Sequence, residues 1–462
     1  MAFEKAPRLF RDPVHLQLRY ERVEDERHIP SPAFGDKRFG WVMQRLIDTP
    51  VFQRLRHIRQ NGLTNLVFHG AEHSRFSHSM GVAYLAGEMY DRICRNMGEE
   101  PDDETRLATC AAGLLHDIGH GPFSHTLEEA LDVLGIEFAH EAMTLRIIRE
   151  SVVAETLGHV DQTFPERVAE YISKKVKKPH WSHKLVSSQL DADRLDYLLR
   201  DAAACGLRGH TYDLARLLDM LRHVDGQLVG VDRKGLETVE GYLVALDQMY
   251  RAIYFHHTVR AASVLLTSVL RRAVMLASNG DKDVFSTRDR RHPLKRFFDT
   301  GGQCDLETYS HLGEFHVWVL VDEWRGHPDP ILSDLSRRLY ERRLPKTIQL
   351  PAKPKQSLEL IAKARDLTCK RIAHVDATLV DFYVAVDEAE RTSYKLYDWR
   401  EEEKPDESIY ICERNGKSWP IHAYGESKII NALKDTRYVS RLMFPYEIVT
   451  KQAIRCEGEQ GS

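Results

Sequence analysis

Cysteine is sparse in this chain: seven residues in 462, the closest pair being Cys94 and Cys110, with no C-x-x-C word. An odd, scattered set argues against a disulfide framework or a thiolate zinc site and fits a reducing compartment. Long apolar runs are missing as well. No stretch approaches the roughly 18 residues that cross a bilayer, and the opening MAFEKAPRLFRDP has no signal-peptide core. The expected location is therefore cytoplasmic, with no membrane partner. A dominant charge is absent too: 65 basic against 69 acidic residues give a formal net charge of -4. No overall basic field recommends a nucleic-acid binder, although a local basic pocket for phosphates remains compatible. Internal repeats and low-complexity tracts are not evident.

What is present is length and helical periodicity. A chain of 462 residues exceeds one compact core, so two domains or a domain with large insertions is expected. From about Phe39 to Leu270 the pattern is helical almost throughout. Val82, Leu85, Met89 and Ile93 recur at helical spacing, as do Leu107, Cys110, Ala111 and Leu114. Further helices are expected over 126–133, 140–150, 184–203 and 238–271. Residues 316–321 read as a strand or a buried segment, 334–343 as a helix and 351–355 as a linker. Short β-rich runs follow at 382–386 and 408–411, then a helix near 427–434. The predicted class is mainly α, a helical catalytic domain with a smaller C-terminal α+β region. The divisions are 1–38 as an N-terminal segment, 39–300 as the catalytic domain, 301–350 as its continuation and 351–462 as the small region.

Chemistry concentrates in three words. Leu114 through His125 reads LLHDIGHGPFSH, placing His116 and Asp117 side by side at the end of an apolar helix. Imidazole nitrogen and carboxylate oxygen suit divalent ions such as zinc, iron, manganese and magnesium, and a ligand role rationalises a buried aspartate. One such dipeptide occurs by chance in many proteins. The second word is GAEHSRFSHSMG at 70–81, and the third is LDADRLDYLLRD at 190–201. On a helix Asp193, Tyr197 and Asp201 share one face. That face meets solvent, a metal or a ligand, and the order of all three words within one helical region favours the last two.

These words resemble the H…HD…D signature of the HD superfamily, carried here by His78, His116-Asp117 and Asp193. IDTPVFQRLR at 47–56, RFSHSMGV at 75–82 and the His116–His125 word look like the deoxynucleoside triphosphate triphosphohydrolases, from about Leu9 to Lys346. That group includes the SAM-and-HD-domain enzyme and bacterial relatives. The resemblance implies that His78, His116, Asp117 and Asp193 ligate one divalent metal ion (Mg, Mn, Fe or Zn). It places His120, Glu128 and His140 in a catalytic network, with Glu128 where an aspartate is usual. It assigns Arg75, Arg194 and Tyr197 to the triphosphate, and Gln60, Asp201 and Tyr254 to the sugar's 3′-hydroxyl. One triphosphate-holding arginine of the SAM-and-HD-domain enzyme falls at Leu246, so either another cation such as Arg251 or Arg260 replaces it or the phosphate chain is held differently.

A regulatory nucleotide site is implied in part. Asp48, Gln53 and Arg56 match residues that read a guanine, and Arg216, Lys234 and Arg342 match phosphate contacts, but the family's asparagine there is Arg11. The plainer alternative is that Asp48, Gln53 and Arg56 hold helix ends and salt bridges. Such regulation implies a homo-oligomer, a tetramer by analogy. The implied activity is hydrolysis of (deoxy)nucleoside triphosphates to nucleoside and inorganic triphosphate. An HD phosphodiesterase or nucleotidase, or a nucleotide-binding module without turnover, is the alternative. His256 and His257 are read as lining the nucleotide pocket rather than binding metal, 288–296 as a solvated basic loop, and Trp318 and Trp324 as core.

Overall fold

The computed structural model describes residues 6–22, 28–29, 31, 35–173, 176, 180–285, 292–391, 408–425, 427–433 and 437–448. Helices dominate, and the longer ones are α1 (Gly35–Ile47), α2 (Arg75–Met97), α3 (Asp103–Leu115), α4 (His125–Val133), α5 (His140–Glu150), α6 (Phe164–Ile172), α7 (Ala192–Ala204), α8 (Leu236–Met249), α9 (His257–Ser278), α10 (Glu314–Trp324), α11 (Pro330–Tyr340) and α12 (Pro354–Arg371).

Local chemistry sets their ends. Asp102 caps α3 by accepting from Thr105 N at 2.8 Å, and Asp191 caps α7 by accepting from Arg194 N at 2.8 Å. Helix α2 stops at Gly98, whose φ of 74° is the left-handed turn that glycine adopts without a Cβ penalty. Two apolar cores flank α2. Phe76, Met80 and Ala83 face one; Val82, Leu85 and Met89 face the other. Full burial of each larger side chain contributes roughly 1.5–3 kcal/mol, which anchors this helix from both sides.

Among the described residues, nine strands form three small sheets. β1 (Arg8–Asp12) and β2 (Leu16–Tyr20) make an N-terminal hairpin. β3 (Leu221–Val224), β4 (Leu228–Asp232), β7 (Tyr410–Cys412) and β8 (Ser418–Pro420) make a four-stranded sheet in that order. β5 (Lys346–Gln349), β9 (Arg437–Phe444) and β6 (Ala385–Arg391) make the third. Strand β7 pairs parallel to β4, and Ile409, Ile411 and Ile421 enter the second core beside Val229 and Val231. Leu360, Ala364, Leu442 and Phe444 enter the first core. The chain beyond Pro351 is thus stitched into both cores.

Several expectations change. Residues 316–321 belong to α10, not a strand: Val317, Leu320, Val321 and Trp324 are buried at helical spacing despite their β-branched neighbours. The expected linker at 351–355 runs into α12, whose buried stripe is only Leu360, Ala364 and Thr368, too narrow to stand out in so polar a sequence. The helix expected over 184–203 begins at Ala192, because Asp191 caps it there. The one expected over 238–271 is interrupted by a π turn at Tyr250–Tyr254, and His256 caps the continuation. The run at 382–386 opens with a 3₁₀ turn before β6. Within the basic loop, residues 286–291 lie outside the described residues, and Pro293–Asp299 is helical. Helix α9 is long and apolar enough to cross a membrane; its Val259, Leu265, Leu266, Val269 and Leu270 are buried in the fold.

Candidate active site

The three words meet at one point. His78 lies in the first turn of α2, His116 caps the C-terminal end of α3 with Asp117 next to it, and Asp193 lies in the first turn of α7. The His116 Nδ1–H donates to the Gly113 carbonyl at 2.8 Å, which turns Nε2 inward. There it is buried without a hydrogen-bond partner, 3.3 Å from Asp117 Oδ1 and 3.6 Å from Asp193 Oδ1. His78 Nε2 stands 3.0 Å from Asp193 Oδ1 and 3.7 Å from Asp117 Oδ2.

Two imidazole lone pairs facing two carboxylates repel unless something positive sits between them. Protons are one solution. Burial by itself would hold His78 down, yet its hydrogen bonds to Asp193 and Asp196 push it up to about 10. A divalent cation is the other, and the set suits one: donor atoms of His78, His116 and Asp193 lie within 4.8 Å of one another, and Asp117 stands 3.3 Å from His116 and 3.7 Å from His78. The same attraction acts on the acids. Burial would raise Asp117, but Arg75, His116 and His120 hold it well below the usual carboxylate range.

The backbone around this cluster is tightly constrained. A Cβ at Gly119 would overlap His140 O and the Thr144 side chain, so α5 packs directly on the turn after Asp117. Phe123 and Ser124 adopt φ of 57° and 51° just before α4. Side chains seldom occupy that region, at a cost of about 1–3 kcal/mol each. Arg75 helps hold the turn, donating from Nε to Ser124 Oγ at 2.8 Å and from Nη1 to Asp117 Oδ2.

A second cluster forms the rim. Glu128 accepts from His125 Nδ1 at 2.9 Å, from His140 Nδ1 at 2.7 Å and from His140 N at 2.9 Å. Burial would raise its carboxyl, but these bonds hold it below its ordinary value. His120 stacks on His140 with centroids 3.7 Å apart, and its Nε2 is 3.3 Å from Asp117 Oδ1. Burial, with Arg75 nearby, keeps His120 well below the usual histidine range and hence neutral at pH 7.

These groups open on a cleft of about 490 Å³ lined by Arg75, Asp117, His120, His140, Asp193 and Arg194, and further along by Gln60, Tyr197, Asp201, Tyr254 and Arg260. Such a volume suits a small-molecule ligand. Asp201 accepts from the Tyr254 hydroxyl at 2.6 Å and bonds His73 Nε2 at 2.7 Å. Gln60 Oε1 is buried and unpartnered in the same wall.

Other expected residues fall elsewhere. Leu246 is fully buried in the second core. Arg251 pairs with Asp247 outside the cleft, whereas Arg260 lines it while paired to Asp387 and Glu129. His256 and His257 do not line the cleft. They stack on each other, and His256 caps α9. Asp48 accepts from Arg8 Nη1 at 2.7 Å and lines a separate cavity of about 370 Å³ together with Arg8, Arg22 and Arg45. Gln53 and Arg56 bond each other at 2.8 Å, and Gln53 also holds the end of α1. Arg216, Lys234 and Arg342 do not line that cavity. Asp196, Arg200 and His15 were not read from the sequence as site residues, although Asp196 stands one helical turn after Asp193.

Comparison with known proteins agrees with this geometry. Residues 75–201 match the HD domain and 212–292 match the HD associated region. The chain is 34% identical to the uncharacterized protein YwfO of Bacillus subtilis over 444 residues, 96% of this chain and 93% of that protein. It is 32% identical to the deoxynucleoside triphosphate triphosphohydrolase SAMHD1 homolog of Dictyostelium discoideum over 321 residues, 66% of this chain and 62% of that protein. A crystal structure of a phosphohydrolase from Bacteroides thetaiotaomicron superposes with a TM-score of 0.75 at 26% identity, covering 95% and 99% of the two chains. The fold and the site together define a phosphohydrolase. More particularly, the chain belongs to the HD-domain family and carries the HD associated region behind it.

Proposed function

We propose that this protein hydrolyses (deoxy)nucleoside triphosphates to nucleoside and inorganic triphosphate, with a divalent metal held by His78, His116, Asp117 and Asp193. The observation that carries the reading is the opening of that cluster onto one cleft with three arginines, Arg75, Arg194 and Arg260. The activity for which the Dictyostelium relative is named supports it. Held by those four residues, a magnesium, manganese, iron or zinc ion would supply Lewis-acid chemistry, bringing the ionisation of water toward neutral pH.

The chain's own residues do the rest. Arg194 and Arg260 face the phosphates, guanidinium being suited to bidentate contact. Arg260 supplies the charge that the buried Leu246 does not. Arg75 lines the phosphate end and also fixes the Asp117 carboxylate. Tyr197 joins them at the triphosphate, and Gln60, Asp201 and Tyr254 form the wall for the sugar. Cleavage breaks the bond between the α-phosphorus and the 5′-oxygen, whose electron pair then needs a proton. His140 donates its Nδ1–H to Glu128, which leaves Nε2 to carry that proton, while neutral His120 packs against it and fixes its plane.

Purified protein incubated with Mn²⁺ and each nucleoside triphosphate, with products resolved by anion exchange, tests this. Inorganic triphosphate is expected. Pyrophosphate or phosphate would replace this reading with a phosphodiesterase or nucleotidase, and no turnover with tight binding would leave a nucleotide-binding module. The arginine-lined cavity beside Asp48 supports a second element, regulation by a bound nucleotide in a homo-oligomer. Activity that appears only in nucleotide mixtures, together with a mass above the monomer by light scattering, is its expected signature.

A further inference from the structure

Behind His78 lies a closed network of charge that the reaction itself does not use. The His78 Nδ1–H donates to Asp196 Oδ2 at 2.8 Å. His15 Nε2 bonds Asp196 Oδ1 at 2.7 Å. Arg200 donates to both oxygens of the same carboxylate, each at 2.8 Å, and reaches Asp12 Oδ2 at 3.0 Å. Asp12 in turn accepts from Val14 N and His15 N, both at 2.9 Å, closing the turn between β1 and β2. The side chains of His15, Asp196 and His78 are 3%, 0% and 0% exposed, so solvent can replace none of these bonds.

The geometry dictates a protonation pattern. The Asp196 carboxylate only accepts, so His78 must carry its hydrogen on Nδ1 and present the Nε2 lone pair to the cluster. With four donors on its two oxygens, Asp196 has no capacity left to ligate an ion. Its role is to hold the imidazole. A carboxylate behind a metal-binding histidine fixes the ring's tautomer and orientation and raises its basicity. Gly81, one turn after His78, makes room: a Cβ there would overlap both the Asp196 carboxylate and the Arg200 guanidinium.

We propose that the N-terminal hairpin is part of the metal centre, with His15 acting as a positioning residue that orients His78 through Asp196. This rests on the metal reading above. His15 contacts neither substrate nor ion. Its ring packs on Tyr84 with centroids 5.2 Å apart, so a purely structural role would reside in that packing.

Two variants separate the roles. His15→Gln keeps a donor near the position of Nε2 and loses the ring. His15→Phe keeps the ring and loses the donor. Mn²⁺ is titrated into the chelator-stripped full-length proteins, with bound metal read by equilibrium dialysis. His15→Phe and Asp196→Asn are expected to weaken Mn²⁺ binding by about 10- to 100-fold, and His15→Gln to stay within about threefold of the unaltered chain. Equal weakening by both His15 variants, or by neither, overturns the proposal. If the unaltered chain binds no Mn²⁺, the metal reading fails with it. Imidazole ¹⁵N shifts of His78 in the unaltered protein give a readout that no variant's folding affects: the Nδ1–H form is expected, and the Nε2–H form overturns the proposal.

Discussion

The cleft holds two histidine–carboxylate clusters made of the same chemical parts and arranged to opposite effect. In the inner one, His78, His116, Asp117 and Asp193 come from three separate helical segments and leave His116 Nε2 buried without a partner. In the rim cluster, Glu128 sits among His125, His140 and the His140 backbone with its hydrogen bonds made. Donor atoms of His78, His116 and Asp193 lie within 4.8 Å of one another, and so do those of His125, Glu128 and His140, so proximity does not tell the clusters apart. Satisfaction does. A set with an orphaned lone pair calls for a cation, whereas a set already closed by protons is built to hold and pass a proton.

The largest effect that sharpens this contrast is expected from Asp193→Ala, which removes an inner carboxylate. Bound metal by elemental analysis and turnover should both vanish; retained metal would dissolve the distinction. Next, Glu128→Ala should leave metal content unchanged while lowering kcat by about 10²- to 10⁴-fold. Metal lost in that variant would make the rim a second metal site. Arg194→Ala should reduce kcat/KM by about 10- to 100-fold, again with metal intact.

The smallest effect is one of stability. Because the folded Glu128 carboxyl lies below its unfolded value of 4.5, its contribution is fully present above that value. It is lost as pH falls through the lower, folded value. Thermal melts of the unaltered chain and Glu128→Gln should therefore be fully separated above 4.5 and draw together progressively as pH falls from there toward the lower, folded value. A constant gap across the acid range would show that Glu128 gains nothing from its two histidines.

The inner cluster was legible in the sequence because its three words sit on strongly periodic helices, and each carries an unusual pairing of histidine or acid with apolar neighbours. The helical class followed from the same periodicity. Much of the rest depended on partners far apart in the chain. Nothing near His15 announces that it meets Asp196, 181 residues away. Arg251 lies within a π turn at Tyr250–Tyr254 and pairs with Asp247, whereas Arg260 lies on the helix after it and lines the cleft, and such a turn has no clear sequence signature. His256 and His257 looked like pocket residues until that same turn placed them at a helix cap. Helix α12 was hidden because it buries one narrow stripe, and α10 because a valine-rich run resembles a strand when read locally.

The parallel pairing of β4 with β7 has a consequence for how the protein is made. Residues 228–232 and 410–412 lie side by side, so during synthesis β4 waits for nearly two hundred residues to leave the ribosome before its neighbour exists. Until then Val229 and Val231 border an open edge, the kind of surface that chaperones hold and that other nascent chains can capture.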